Sequence, residues 1–160
     1  MRPMFRFALA IACATGLAAG AANAAIINYT VALSGAQEVP AGAGDPDGSG
    51  TAFLTFDSVA NSVSWNITVN NIDTVILDHI HSAPAGVNGP VVIDFGGALS
   101  GSVVDPDVAA VLANPTGFYV NVHTNVFTGG AVRGQIPEPT TALLLGAGLL
   151  GLGVARRRSA

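Results

Sequence analysis

The sequence predicts an all-β protein: an antiparallel Greek-key β-sandwich of about seven strands with one short helix, set between two apolar ends. Three observations predict it. Between residues 25 and 136 apolar and polar residues alternate in short runs, the period of half-buried strands. Clusters of Gly, Pro, Asn and Asp separate those runs, as turns require. Only one stretch has a helical pattern, and one helix among several short strands fits a sandwich or flattened barrel.

The elements follow in order. Ile27 to Ser34 alternates as a first strand. Thr51 to Phe56 and Ser62 to Val69 form a hairpin through Asp57-Ser58-Val59-Ala60-Asn61. Thr74 to His81 and Val91 to Phe95 come next. Asp105 then reads as a helix N-cap, with Pro106 at the first helical position and Asp107 to Leu112 running on to Asn114-Pro115. A side-chain acceptor, a preset φ and a breaker delimit that helix. Phe118 to Thr124 and Ala131 to Ile136 complete the strands. Trp65, Phe53, Phe56, Phe95 and Phe118 read as core and strand-pairing residues, and Asp78 as a surface charge.

The two ends are of another kind. Arg2 and Arg6 precede an apolar stretch from Phe7 to Ala22, and Ala22-Asn23-Ala24 is an A-x-A cleavage pattern, so residues 1–24 read as a secretory signal peptide. Cys13, the only cysteine, lies inside it, leaving residues 25–136 without a disulfide. At the other end Pro137-Glu138-Pro139 leads into an apolar run from Thr140 to Ala155, closed by Arg156-Arg157-Arg158. That segment would rise about 24 Å as a transmembrane-type helix, slightly short of the hydrocarbon core. The arginines favour the cytoplasmic side, which places the preceding domain across the inner membrane. The Pro-rich break, greasy helix and basic stop of residues 137–160 resemble the PEP-CTERM sorting tail. That resemblance implies an exosortase-like processing partner and a destination in the periplasm, cell surface or extracellular matrix of a Gram-negative bacterium.

Residues 25–136 carry Glu38, Asp45, Asp47, Asp57, Asp73, Asp78, Asp94, Asp105 and Asp107 against Arg133 alone, and the chain has no lysine. Such a balance excludes nucleic acid as a partner, because neutralising phosphates needs clustered Lys and Arg. There is no G-x-S-x-G elbow, no phosphate-binding glycine loop before a helix and no cysteine nucleophile in the domain. Asp45-Pro46-Asp47-Gly48-Ser49-Gly50 resembles the start of a calcium loop, but Phe56 stands at the closing position and a plain turn explains the segment.

Five segments carry a resemblance that spans nearly the whole domain: Leu33 to Pro40, Gly50-Thr51-Ala52, His79 to Val92, Tyr119 to Thr124, and Gly130 to Ile136. Together they resemble the CHRD domain, named for chordin, an animal extracellular protein that sequesters growth factors. The likeness implies an extracellular setting, and the acidic, lysine-free domain is expected to act there as a non-enzymatic binding or structural module. Exopolysaccharide or extracellular proteins would be its partners.

His79, His81 and His123 are the complete histidine set. His79 and His81, two residues apart on one strand, project from the same face about 7 Å apart. His123 shares a face of its strand with Tyr119 and Asn121, while Val120 and Val122 point to the core side. If the two strands are neighbours, three imidazoles meet outside the sandwich and form a candidate copper or zinc site with an open coordination position. The order His-x-His, a later His on a Val-rich strand and an Arg near the last strand resembles the copper subsite of copper/zinc superoxide dismutases. This implies His79, His81 and His123 as copper ligands, Arg133 as an anion-steering group, and a redox or dismutase-like activity. The chain departs from that pattern in having no histidine for a bridging position or a zinc subsite, and no partner for an intrasheet disulfide.

Overall fold

A computed structural model describes residues 26–138. The expected signal peptide of residues 1–24, the apolar segment of 140–155, Pro139 and Arg156 to Arg158 lie outside the described residues. Eight strands form one antiparallel sheet, folded as a half-barrel: β1 (Ile26–Ser34), β2 (Ser49–Asp57), β3 (Ser62–Asn70), β4 (Val75–Ser82), β5 (Val91–Asp94), β6 (Ser100–Val104), β7 (Phe118–Thr124) and β8 (Val132–Gln135). Their lateral order is β5-β4-β7-β8-β1-β2-β3-β6. No helix among the described residues is long and apolar enough to cross a membrane.

The seven-strand sandwich is thus corrected to eight strands in a single sheet. β6 escaped the periodicity because Ser100-Gly101-Ser102 carries no apolar alternation; its extended form comes from pairing with β3, Gly101 opposite Trp65. The sheet is nearly two, however. Its halves, β5-β4-β7-β8 and β1-β2-β3-β6, join through one residue pair, Ser34 opposite Arg133. Gly134 lets β8 pass close there, since a Cβ on it would stand 2.3 Å from the Ala32 carbonyl oxygen.

The chain between β5 and β6 links the two outer edges of the sheet, and a link so short spans at most about 20 Å. The edges therefore curl toward one another over a shared core. Phe95 in this link stacks on Trp65 of β3 at 4.1 Å, and the indole N–H donates to the Ala98 carbonyl at 2.5 Å. The Ile67 N–H bonds the Leu99 carbonyl at 2.7 Å. Leu54, Phe56 and Val63 from one half meet Ile80, Val120 and Val122 from the other inside.

Helix α1 (Val108–Ala113) turns Val108 and Val111 into this core. The helix start is corrected from Asp105: the N-cap is Asp107, with no side-chain capping bond, and Asp105 instead accepts the Asp107 N–H at 2.9 Å in the turn before it.

Two expectations of burial reverse. Phe53 is 52% exposed, because the inward set of β2 is Ala52, Leu54 and Phe56, and an odd-numbered neighbour must point away. Asp78 is fully buried rather than a surface charge: on β4 it shares the core-facing parity with Ile80. Neither carboxyl oxygen has a hydrogen-bond partner. Burial pushes its pKa up to about 6, only partly offset by the nearby Gly97 N–H.

The two phenylalanines of β2 test this register. Phe56→Ala should lower unfolding free energy by about 3–5 kcal/mol through cavity formation, while Phe53→Ala should stay within about 0.5 kcal/mol. Denaturant titrations of both variants check the contrast, and equal losses would overturn the inward assignment.

Candidate metal centre

Strand β7 is buried along its entire length. Phe118, Val120 and Val122 face the core, so Tyr119, Asn121 and His123 face the other way. β4 lies beside it in a register that sets His81 opposite Tyr119, His79 opposite Asn121 and Leu77 opposite His123. The neighbourhood required by the sequence reading is therefore present, with His123 diagonal to His79. Ring centroids are 5.4 Å apart for His79 and His81, 5.1 Å for His79 and His123, and 5.8 Å for His81 and His123. One ring nitrogen of each lies within 4.8 Å of the others. Two nitrogens on one tetrahedral ion sit about 3.4 Å apart, so the widest pair would draw in on binding.

The histidines lie on the side of the strands away from the apolar core but are only 7–8% exposed. Connecting segments cover them. His81 Nδ1 lies 3.0 Å from the Gly89 carbonyl, and His123 Nδ1 lies 3.0 Å from the Thr128 carbonyl. A carbonyl only accepts, so each Nδ1 carries the proton and each Nε2 keeps its lone pair. Those two Nε2 atoms are buried without partners, as is His79 Nδ1, whose ring turns Nε2 toward Asp94 Oδ1 at 3.6 Å. Three lone pairs therefore face a common space. Anchoring of the opposite ring nitrogen by carbonyl or carboxylate is the usual support of a metal-ligating histidine.

Electrostatics keeps these nitrogens unprotonated. Burial lowers all three imidazole pKa values. The neighbouring His123 and His81 add to the lowering at His79, where Asp94 opposes it, and His123 and Arg133 add to it at His81.

Two further groups were missed as functional residues. Glu38 follows β1 in a connecting segment and is 4% exposed. Its carboxyl is pushed up to about 7 by burial, against the opposing effects of Arg133, Asn121 and the Val39 N–H. Asn121 belongs to the same alternating set as His123, so strand parity exposed it to view; Glu38 has no periodic signal at all. They converge beside Gly130 (φ +137°), where an added Cβ would stand 2.6 Å from Glu38 Oε1 and 2.7 Å from Asn121 Nδ2. Glu38 Oε1 and Asn121 Oδ1 are buried without partners. Asn121 stands opposite His79 in the β4–β7 register, so this amide and carboxyl adjoin the imidazole cluster, of which Glu38 is not a member.

Arg133, 2% exposed, lies over the Tyr119 ring and bonds the 84–88 segment. A cleft of about 430 Å³ has Glu38, Arg133 and Gln135 in its wall. Asp45 to Gly48 closes as a turn, the Gly48 N–H on the Asp45 carbonyl at 3.2 Å, and among the described residues the histidines are the one metal-competent cluster.

Fold and site define a β half-barrel domain with a buried three-histidine cluster on its polar side. The chain belongs to the CHRD family, whose domain model matches residues 29–136. A PEP-CTERM protein-sorting motif matches residues 135–158. It marks an exported, membrane-transiting protein of Gram-negative bacteria, processed by an exosortase-type enzyme. No curated protein matches the chain, and no solved structure does.

Glu38 gives a pH test. Its folded pKa lies above its ordinary value, so its contribution is fully present below about pH 4.5 and is lost as pH rises through about 7. The buried histidines act in the opposite sense, destabilising the metal-free fold as pH falls below about 6.5. Glu38→Gln mimics the protonated acid. It should gain on wild type between pH 5 and 8 by on the order of 2 kcal/mol, read from paired denaturation curves. A difference that does not change with pH would refute the assignment.

Proposed function

We propose that this chain is an exported, non-enzymatic binding module of the bacterial envelope or extracellular matrix, whose ligand is one transition-metal ion, copper or zinc. The observation that carries the reading is the set of three buried, unpartnered imidazole nitrogens of His79, His81 and His123. The residues fit the group: neutral imidazole suits both metals, and three protein ligands leave a further position open. When bound, such an ion supplies Lewis acidity or, for copper, an electron-transfer couple. The chain's own part is to hold the three rings unprotonated and shielded, with tautomers at His81 and His123 set by backbone carbonyls.

The sorting motif supports delivery across the inner membrane, with the apolar tail as a transient anchor. Exopolysaccharide or extracellular proteins are the partners this location offers.

The full chain in detergent should take up one equivalent of copper or zinc, and the variant with His79, His81 and His123 all changed to Ala should take up none. At a hundredfold excess over Kd the metal should raise wild-type stability by about 2.7 kcal/mol. Equal uptake by both proteins, or none by either, would end the metal reading. Separately, deletion of residues 137–160 should move the protein from the membrane fraction to the soluble periplasm; continued membrane retention would remove the anchor from the account.

A further inference from the structure

We propose that Arg133 and Tyr119 are positioning residues of the histidine centre, which together fix the ring orientation and tautomer of His81. The affinity part of the proposal rests on the metal reading above. Its geometric part stands in the metal-free protein.

Tyr119 is directly opposite His81 in the β4–β7 register, and the two rings stack at 4.9 Å with only 9° between their planes. β8 lies on the other side of β7, and from it Arg133 brings its guanidinium carbon to 3.4 Å from the Tyr119 ring centroid. Tyr119 is thus contacted from both neighbouring strands, by an imidazole and by a planar cation. Arginine suits this place because a flat, delocalised guanidinium stacks on an aromatic face while its edge donates hydrogen bonds.

Those edge donors hold the segment that touches His81. Arg133 donates to Asn88 Oδ1 at 3.1 Å, to the Val87 carbonyl at 2.7 Å and to the Pro84 carbonyl at 3.4 Å. The next residue, Gly89, accepts from His81 Nδ1 at 3.0 Å, and its N–H donates to the Tyr119 hydroxyl at 3.2 Å. Two routes from one arginine therefore converge on one imidazole. The stack through Tyr119 sets the plane of the ring. The 84–89 segment sets which nitrogen carries the proton, and so leaves Nε2 to the shared space.

This assignment departs from an anion-steering role. Arg133 has no carboxylate within ion-pair distance among the described residues, but three of its N–H donors are already committed to the 84–88 segment. His79 and His123 take their supports elsewhere, from Asp94 and Thr128. A change at Arg133 should therefore reach His81 selectively.

The test uses the full chain in detergent with ¹⁵N-labelled histidine, metal-free, followed by competition titrations with copper and zinc. Arg133→Lys keeps the charge and removes the planar fork. It should shift His81 from its Nδ1–H tautomer toward a mixture while leaving the signals of His79 and His123 in place. Metal affinity should fall about 10–100-fold with the stoichiometry still one. Tyr119→Phe, which loses only the hydroxyl contact to Gly89, should fall less than Tyr119→Leu, which also loses the stack. A folded Arg133→Lys protein with the wild-type His81 tautomer, or one in which all three histidines shift alike, overturns the proposal. If that variant does not fold, the tyrosine pair decides: equal behaviour of Phe and Leu overturns it, and a ring-dependent loss sustains it. Absence of metal uptake by the wild type would sink the preceding functional reading, while the metal-free His81 comparison would still decide this one.

Discussion

The arrangement depends on one strand being buried on both faces. β7 presents Val120 and Val122 to an apolar core and Asn121 and His123 to a covered polar side, so neither face meets bulk water. Strand parity alone separates the two environments. A shift of one residue in its pairing would put imidazoles into the hydrocarbon interior and valines among the polar groups, which is why the register with β4 is so strongly specified. Packing of the valines is thus also what aims the histidines.

The polar side is unusual for what it lacks. Three imidazole nitrogens, one Glu38 oxygen and the Asn121 amide oxygen are buried there without hydrogen-bond partners. Desolvation then favours the neutral forms, lowering the histidine pKa values and raising that of Glu38. Both shifts minimise charge in this covered region. A cation held by the imidazoles would invert that logic, giving their three nitrogens the partner the protein withholds.

The sequence carried much of this, unevenly. Strands such as Phe118 to Thr124 were legible because their alternation is unbroken, and the pairing of His79 with His81 on one face follows from spacing alone. The adjacency of β4 and β7 was not legible, since β5, β6 and α1 intervene and lateral order is decided by tertiary packing. β6 was invisible for the opposite reason: its Ser-Gly-Ser stretch has no pattern until β3 supplies a partner. Burial of the histidines also lay beyond reach. The segments that cover them have no period, and Glu38 reaches the site from one of them.

The single pair that joins β1 to β8 divides ownership of the centre. All three histidines, Tyr119, Asn121 and Arg133 belong to one leaf of the sheet, whereas Glu38 hangs from the end of β1 in the other. Glu38 is nonetheless tied back across that seam, because Asn88 Nδ2 donates to the carbonyl of the next residue, Val39, at 2.8 Å. The place of this acid therefore depends on both leaves at once, on the end of β1 and on the 84–88 segment that Arg133 holds.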